Sequence, residues 1–86
     1  MLYNYLPSLD LHGEYRKSAE ILVKEFIDDN YKLGKKNVVI IHGVGQGILK
    51  KCVHEILKKD KRVVNFKLDN FNSGTTLVEL CSFIDK

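Results

Sequence analysis

No apolar run in this 86-residue chain approaches the roughly 20 residues a helix needs to cross a bilayer. A membrane-bound role is therefore not expected. Met1 to Pro7 carries no basic residue ahead of Leu2 and Leu6 and no small-residue cleavage site, so a secretory leader is not expected either. There are only two cysteines, Cys52 and Cys81, far apart and each inside an apolar pattern. That spacing argues against a disulfide framework or a cysteine-rich metal site, and reads as reduced core thiols of a cytoplasmic protein. Gly-Lys-Ser/Thr occurs nowhere, which excludes a P-loop. The glycine run that does occur lacks the spacing and the acidic partner of a dinucleotide-binding fingerprint.

The length allows one domain and one core, burying somewhat more than about 60% of the surface that the unfolded chain exposes. Hydrophobic residues make up 44% and charged residues 29%, ordinary values for a globular protein. The net charge of +3 favours a polyanionic partner. Lys35-Lys36, Lys50-Lys51 and the run Lys58 to Arg62 all fall at predicted element ends, and the last reads on its own as a solvated helix end.

Residues 1–7 read as an N-terminal arm and 8–86 as the domain. Leu9 and Leu11 alternate with Asp10 and His12 as in a half-buried strand, which aims Asp10 and His12 to one side. Ala19, Leu22, Val23, Phe26 and Ile27 then fall on one face of a helix that Gly34 stops. Val38 to Ile41 is a continuous apolar run, as in a strand central in a sheet. Leu49, Cys52, Val53, Ile56 and Leu57 mark a second helix to about Lys59. Val64, Phe66 and Leu68 alternate as a third strand. A turn cluster at Asn70, Asn72, Ser73 and Gly74 leads to a fourth, in which Thr76, Val78 and Leu80 face one way. The order is βαβαββ: an α/β two-layer sandwich of two helices on a four-stranded, mostly parallel sheet that ends in an antiparallel hairpin. The crossovers place both His-Gly junctions, at 12–13 and 42–43, at one sheet edge, where ligands bind in open α/β sheets.

At that edge Gly43, Gly45 and Gly47 alternate between a strand and a helix. The helix start offers unpaired N–H groups and a positive dipole end, suited to phosphate. Lys50 and Lys51 stand in the first turn, where the dipole disfavours cations by about 0.3–1 kcal/mol each. A purely structural turn in a solvated setting is the alternative. His12 and His42, with Asp10 beside His12, supply groups able to move protons near neutral pH. His54, between Lys50 and Lys58 on the second helix, reads as surface.

Three ordered stretches resemble the Smr (small MutS-related) domain family: Leu9-Asp10-Leu11-His12-Gly13, His42-Gly43-Val44-Gly45-Gln46-Gly47, and Gly74-Thr75-Thr76-Leu77-Val78-Glu79-Leu80. They match the family's L-D-L-H-G, H-G-x-G-x-G and G-x-T-x-V-x-L motifs over about residues 8–81. The family forms the C-terminal domain of MutS-type-two proteins and also occurs alone. The resemblance implies a βαβαββ sandwich similar to the C-terminal domain of translation initiation factor three. It also implies binding of DNA or RNA, with endonuclease activity in several members, and links to DNA repair, recombination or ribosome rescue. Asp10 and His12 match the first motif; His42, Gly43, Gly45 and Gly47 match the second. Lys50 stands where an arginine is often found, which keeps the charge but loses the bidentate fork. The chain carries no MutS ATPase motif, so mismatch-recognition, ATP-driven or ribosome-tethering roles are expected to come from repair-protein or ribosomal partners.

The expectation is an endonuclease with Asp10, His12 and His42 as its catalytic set. Gly13, Gly43, Gly45, Gln46, Gly47, Lys50 and Lys51 would contact phosphate. Asp10 would orient His12 or help bind a divalent metal, magnesium or manganese; a metal matters more for DNA, which lacks a 2′-hydroxyl nucleophile. His42→Ala is expected to abolish cleavage and spare the fold. The alternative is a non-catalytic nucleic-acid-binding module in which the same residues only grip phosphate. An enzyme acting on small phosphates is disfavoured by the few residues spare to enclose a pocket. Among Tyr3, Tyr5, Tyr15 and Phe71, Phe71 is the expected base-stacking residue, while Tyr15 and the arm are expected to pack or dock.

Overall fold

A computed structural model describes residues 5–82 and gives six elements: β1 (Ser8–Asp10), α1 (Arg16–Lys32), β2 (Asn37–Ile41), α2 (Ile48–Lys59), β3 (Val63–Asp69) and β4 (Asn72–Leu80). Tyr3 and the first half of the arm lie outside the described residues. Both helices form where the apolar spacing predicts. Ala19, Val23 and Ile27 of α1 and Val53 and Leu57 of α2 are buried in one core, with Leu22, Phe26, Leu49 and Ile56 packed against it. Gly34 sits one residue past the last α1 turn with a φ of 78°, the left-handed conformation that stops a helix. Full burial of each such aliphatic side chain contributes about 1.5–3 kcal/mol, so this apolar layer is what holds helices to sheet.

The sheet order is β1-β2-β4-β3. Only β1 and β2 pair in parallel, with Asp10 opposite Ile41; β2–β4 and β3–β4 are antiparallel. The sheet is therefore mixed, which corrects the mostly parallel expectation. The first three strands do run the same way, but the crossover through α2 leaves a gap one strand wide between β2 and β3. The hairpin folds β4 back into that gap. Asp69 pairs with Asn72, so the turn is only Asn70-Phe71, and β4 begins four residues earlier than its alternation suggests.

Leu9 and Leu11 pack into the helix-side core with Val38, Ile40, Val78 and Leu80. Strand alternation then sends Asp10, Ile41 and Thr75 to the opposite face. The carboxyl ends of β1, β2 and β3, the start of β4 and the amino ends of both helices all meet at one edge.

Candidate phosphate and proton-transfer site

The loop from β2 to α2 is shaped by backbone contacts. The N–H groups of His42 and Gly43 both donate to the Gly74 carbonyl, each at 2.9 Å. A Cβ on Gly74 would stand 3.1 Å from both the Cα and the carbonyl carbon of Gly43, so β4 can approach this closely only through a glycine. Gly47 is the N-cap of α2 with a φ of 79°, and no side chain caps the helix or places a carboxylate in its first turn. An N-cap normally supplies a side-chain oxygen to the first-turn N–H groups; here glycine leaves them open to an outside acceptor. Residues 42–50 line a cavity of about 220 Å³ over that helix start, Lys50 among them. Gly43, Gly45 and Gln46 are exposed, while Gly47 and Lys50 are half-buried; Lys51 is exposed and outside the cavity.

His42 continues the helix-facing side of β2 and is only 5% exposed. Its Nδ1 lies 2.9 Å from the Gly43 carbonyl and its Nε2 2.7 Å from Thr76 Oγ1. Burial above all holds its pKa below the ordinary 6.5; the Gly43 bond opposes it, and Lys50 adds a smaller lowering effect. His54 is not the surface residue its flanking lysines suggest. It is half-buried, with Nε2 2.8 Å from the same Thr76 hydroxyl. Its ring centroid lies 5.9 Å from that of His42 and 4.9 Å from that of Phe66. Burial first, then His42, Lys50 and Lys58, lower its pKa as well. Thr76 shares a strand face with Val78 and Leu80, which aims its hydroxyl at the helix side, where both histidines meet it.

Asp10 and His12 are both exposed at the end of β1. The Asp10 carboxylate accepts the main-chain N–H of His12 at 2.9 Å, and Gly13 follows with a φ of 82°. Asp10 thus fixes the turn that carries His12 and not the imidazole itself. Leu11 donates to the Ile41 carbonyl at 2.8 Å, which brings the two His-Gly junctions to one edge. No hydrogen bond joins His12 to His42 among the described residues. No three His, Cys, Asp or Glu side chains converge as a metal-binding set there either. The Asp10 carboxylate could hold a divalent ion only together with substrate phosphate oxygens and water.

Tyr15, expected to pack, is 84% exposed, as is Phe71. Val44 and Ile48 are also exposed, so apolar side chains border the glycine loop. Arg62, by contrast, is no free cation: it pairs with Asp60 and Asp28, both at 2.8 Å. Cys52 is buried, with its thiol pKa pushed up by burial; Cys81 is half-buried, and both are unpaired.

The sequence profile of the Smr domain matches residues 9–81. The chain belongs to the Smr domain family. It is 38% identical over 79 residues to the endonuclease MutS2 of Halothermothrix orenii, covering 88% of this chain and 10% of that protein. It is 44% identical over 81 residues to the endonuclease MutS2 of a Geobacillus species, covering 91% and 10%. This Smr domain thus spans about a tenth of the length of the curated relatives it matches. The crystal structure of the Smr domain of Thermus thermophilus MutS2 superposes with a TM-score of 0.85 at 29% identity, covering 88% of this chain and 99% of that one. YdaL, a stand-alone small MutS-related protein from Escherichia coli, gives 0.82 at 27% identity, covering 85% and 63%. None of the helices among the described residues is long and apolar enough to cross a membrane.

The two depressed histidines make stability depend on pH. Below the ordinary value of 6.5 the unfolded chain takes up protons that the folded chain refuses. Stability is therefore full above that value and falls as pH drops towards the folded-state values. Urea melts from about pH 8 down to about pH 5 are expected to show this loss, reduced in a His54→Gln variant. A flat profile over that range would contradict the burial of the pair.

Proposed function

We propose that this Smr domain binds the sugar-phosphate backbone of DNA or RNA at the Gly43–Lys50 loop and cleaves a phosphodiester there. The observation that carries the reading is the uncapped start of α2, which opens into a cavity lined by both His42 and Lys50. The open N–H groups and Lys50 would hold a phosphate, with Gln46 and Lys51 at the margin. His42, reaching the loop, and His12, at the same edge, would give and take the protons. Asp10 would hold the His12 turn, and Phe71 and Tyr15 would offer faces to unpaired bases. The relatives' name, endonuclease MutS2, supports the same reaction class. A cytoplasmic setting and repair or ribosomal partners complete the proposal.

One observation favours the non-catalytic alternative. Both ring nitrogens of His42 are engaged inside the protein, so it must exchange one of these bonds to meet substrate. A gel assay decides, using end-labelled RNA and DNA, single- and double-stranded, with magnesium, manganese or EDTA. Cut strands that His12→Ala and His42→Ala leave whole establish cleavage; shifted, uncut strands make the domain a binder. In either case Lys50→Ala is expected to weaken binding and to lower the slope of log affinity against log salt by about 0.7–0.9. An unchanged slope would remove Lys50 from the phosphate contacts.

A further inference from the structure

The hydrogen-bonding around His42 leaves its protons no freedom. A carbonyl only accepts, so at 2.9 Å from the Gly43 oxygen His42 Nδ1 carries the proton. In the neutral ring Nε2 is then an acceptor, and the Thr76 hydroxyl, 2.7 Å away, donates to it. A hydroxyl has one proton. Having given it to His42, Thr76 can only accept from His54 Nε2, 2.8 Å away. One carbonyl therefore sets the tautomers of two rings from two elements: His42 holds its proton on Nδ1 and His54 on Nε2. Among the described residues, the unprotonated nitrogen left without a partner is Nδ1 of His54.

We propose that His54, Thr76 and His42 form a proton relay, with half-buried His54 as the end that trades protons with solvent and His42 as the end at the glycine loop. His42 needs such a route, because at 5% exposure water has little access to its ring. The relay balances proton for proton. A solvent proton bonds to His54 Nδ1 while His54 Nε2 releases its own to Thr76 Oγ1. Thr76 passes its hydroxyl proton to His42 Nε2, and His42 Nδ1, exchanging its bond to the Gly43 carbonyl, gives its proton to the leaving oxygen of a phosphodiester at the loop. Both rings end neutral with their tautomers exchanged. Taking a proton back at His42 Nδ1 runs the chain in reverse and restores them.

The surroundings suit a carrier of one mobile proton. Lys50 and Lys58 of α2 are the charges that bear on the pair. From the sheet, β3 presents Phe66 and β4 presents Thr76, neither of which titrates in this range. His42 in turn disfavours charge on His54. Thr76 and His54 are positioning residues for His42. For turnover the inference rests on the cleavage reading above; the proton positions stand apart from it.

The test has two arms on the full chain. Nitrogen-15 NMR of the imidazoles is expected to find His42 protonated on Nδ1 and His54 on Nε2. In Thr76→Val, His54 is expected to lose that preference and the His42 Nδ1 proton to exchange more slowly with water; Thr76→Ser retains both wild-type properties. In the cleavage assay Thr76→Val is expected to cut about 100-fold more slowly, the lower end of what a positioned proton-transfer group contributes. Thr76→Ser restores the rate, and added imidazole rescues His54→Ala. The opposite tautomers, or unchanged exchange in Thr76→Val, would overturn the relay. So would full-speed cleavage by both Thr76→Val and His54→Ala. Should Thr76→Val not fold, His54→Ala and its imidazole rescue carry the test. If the wild type cuts nothing, the cleavage reading fails, and the NMR arm alone judges the relay.

Discussion

A His42→Ala variant is expected to lose cleavage by a factor of about 10²–10⁴ and, unlike His12→Ala, to lose stability with it. The two histidines share a sheet edge but differ in setting. His42 is 5% exposed and bonded at both nitrogens. Its removal breaks a buried hydrogen bond to the Thr76 hydroxyl, which is 0% exposed and keeps only His54 as an imidazole partner. A lost hydrogen bond of this kind costs about 0.5–1.5 kcal/mol. The sequence-based expectation that the substitution spares the fold is thereby revised. His12 is exposed, and Asp10 holds it only by its main-chain N–H, which alanine keeps. His12→Ala is expected to stay within about 0.5 kcal/mol of wild type while losing cleavage. Urea melts beside single-turnover assays separate the two effects. A His42→Ala protein that is destabilised yet cuts at full speed would leave His42 a structural residue and His12 the sole proton-transfer group.

Most of the fold was legible because its helices are strongly amphipathic. The spacing of Ala19, Val23 and Ile27, and of Val53 and Leu57, leaves one packing solution for each helix, and these residues are the core. Strand order was not legible. Connection rules fix direction and handedness, yet they do not say that β4 enters the gap beside β2. The burial of Thr75 and Thr76 along with Val78 and Leu80 marks β4 as an interior strand, but alternation alone is equally compatible with an edge. At the site, the glycine loop and the two His-Gly junctions could be read from spacing. The partnership of His54 with His42 could not, because it joins α2 to β2 through a threonine on a third element. Lysines one turn before and after His54 gave it the signature of a solvated stripe, while its ring packs inward on Phe66.

Gly74 shows the same limit, and the largest structural effect expected outside the histidines lies there. Its place in the sequence, in a run of Asn and Ser, suggests a turn glycine kept for flexibility. In the fold it is a strand residue whose carbonyl accepts two N–H groups from the head of the glycine loop. A methyl group at Gly74 would meet two backbone atoms of Gly43 at 3.1 Å and the Asn72 side chain at 3.3 Å. Backbone held by paired hydrogen bonds cannot yield as a side-chain tip can. Gly74→Ala is therefore expected to cost about 1–3 kcal/mol, as other overpacked sites do. The strain would be relieved by moving Gly43, and with it the loop that leads to the open N–H groups of α2. Losing one charge-assisted hydrogen bond to phosphate, about 1.5–3 kcal/mol, weakens binding by about tenfold or more. Gly45→Ala is the control: nothing lies within 4 Å of its added Cβ, and its φ is not left-handed. That variant is expected to fold at least as stably as wild type, through the lower entropy of its unfolded chain; because Gly45 lines the phosphate cavity, it is a control for stability alone. Melts of the pair, and salt-dependent binding of Gly74→Ala beside wild type, test the contrast. Equal stability of the two variants would mean that the close approach of β4 does not shape the loop. A loss confined to Gly74→Ala would make this strand, which contributes no side chain to the phosphate, the element that sets where the phosphate sits.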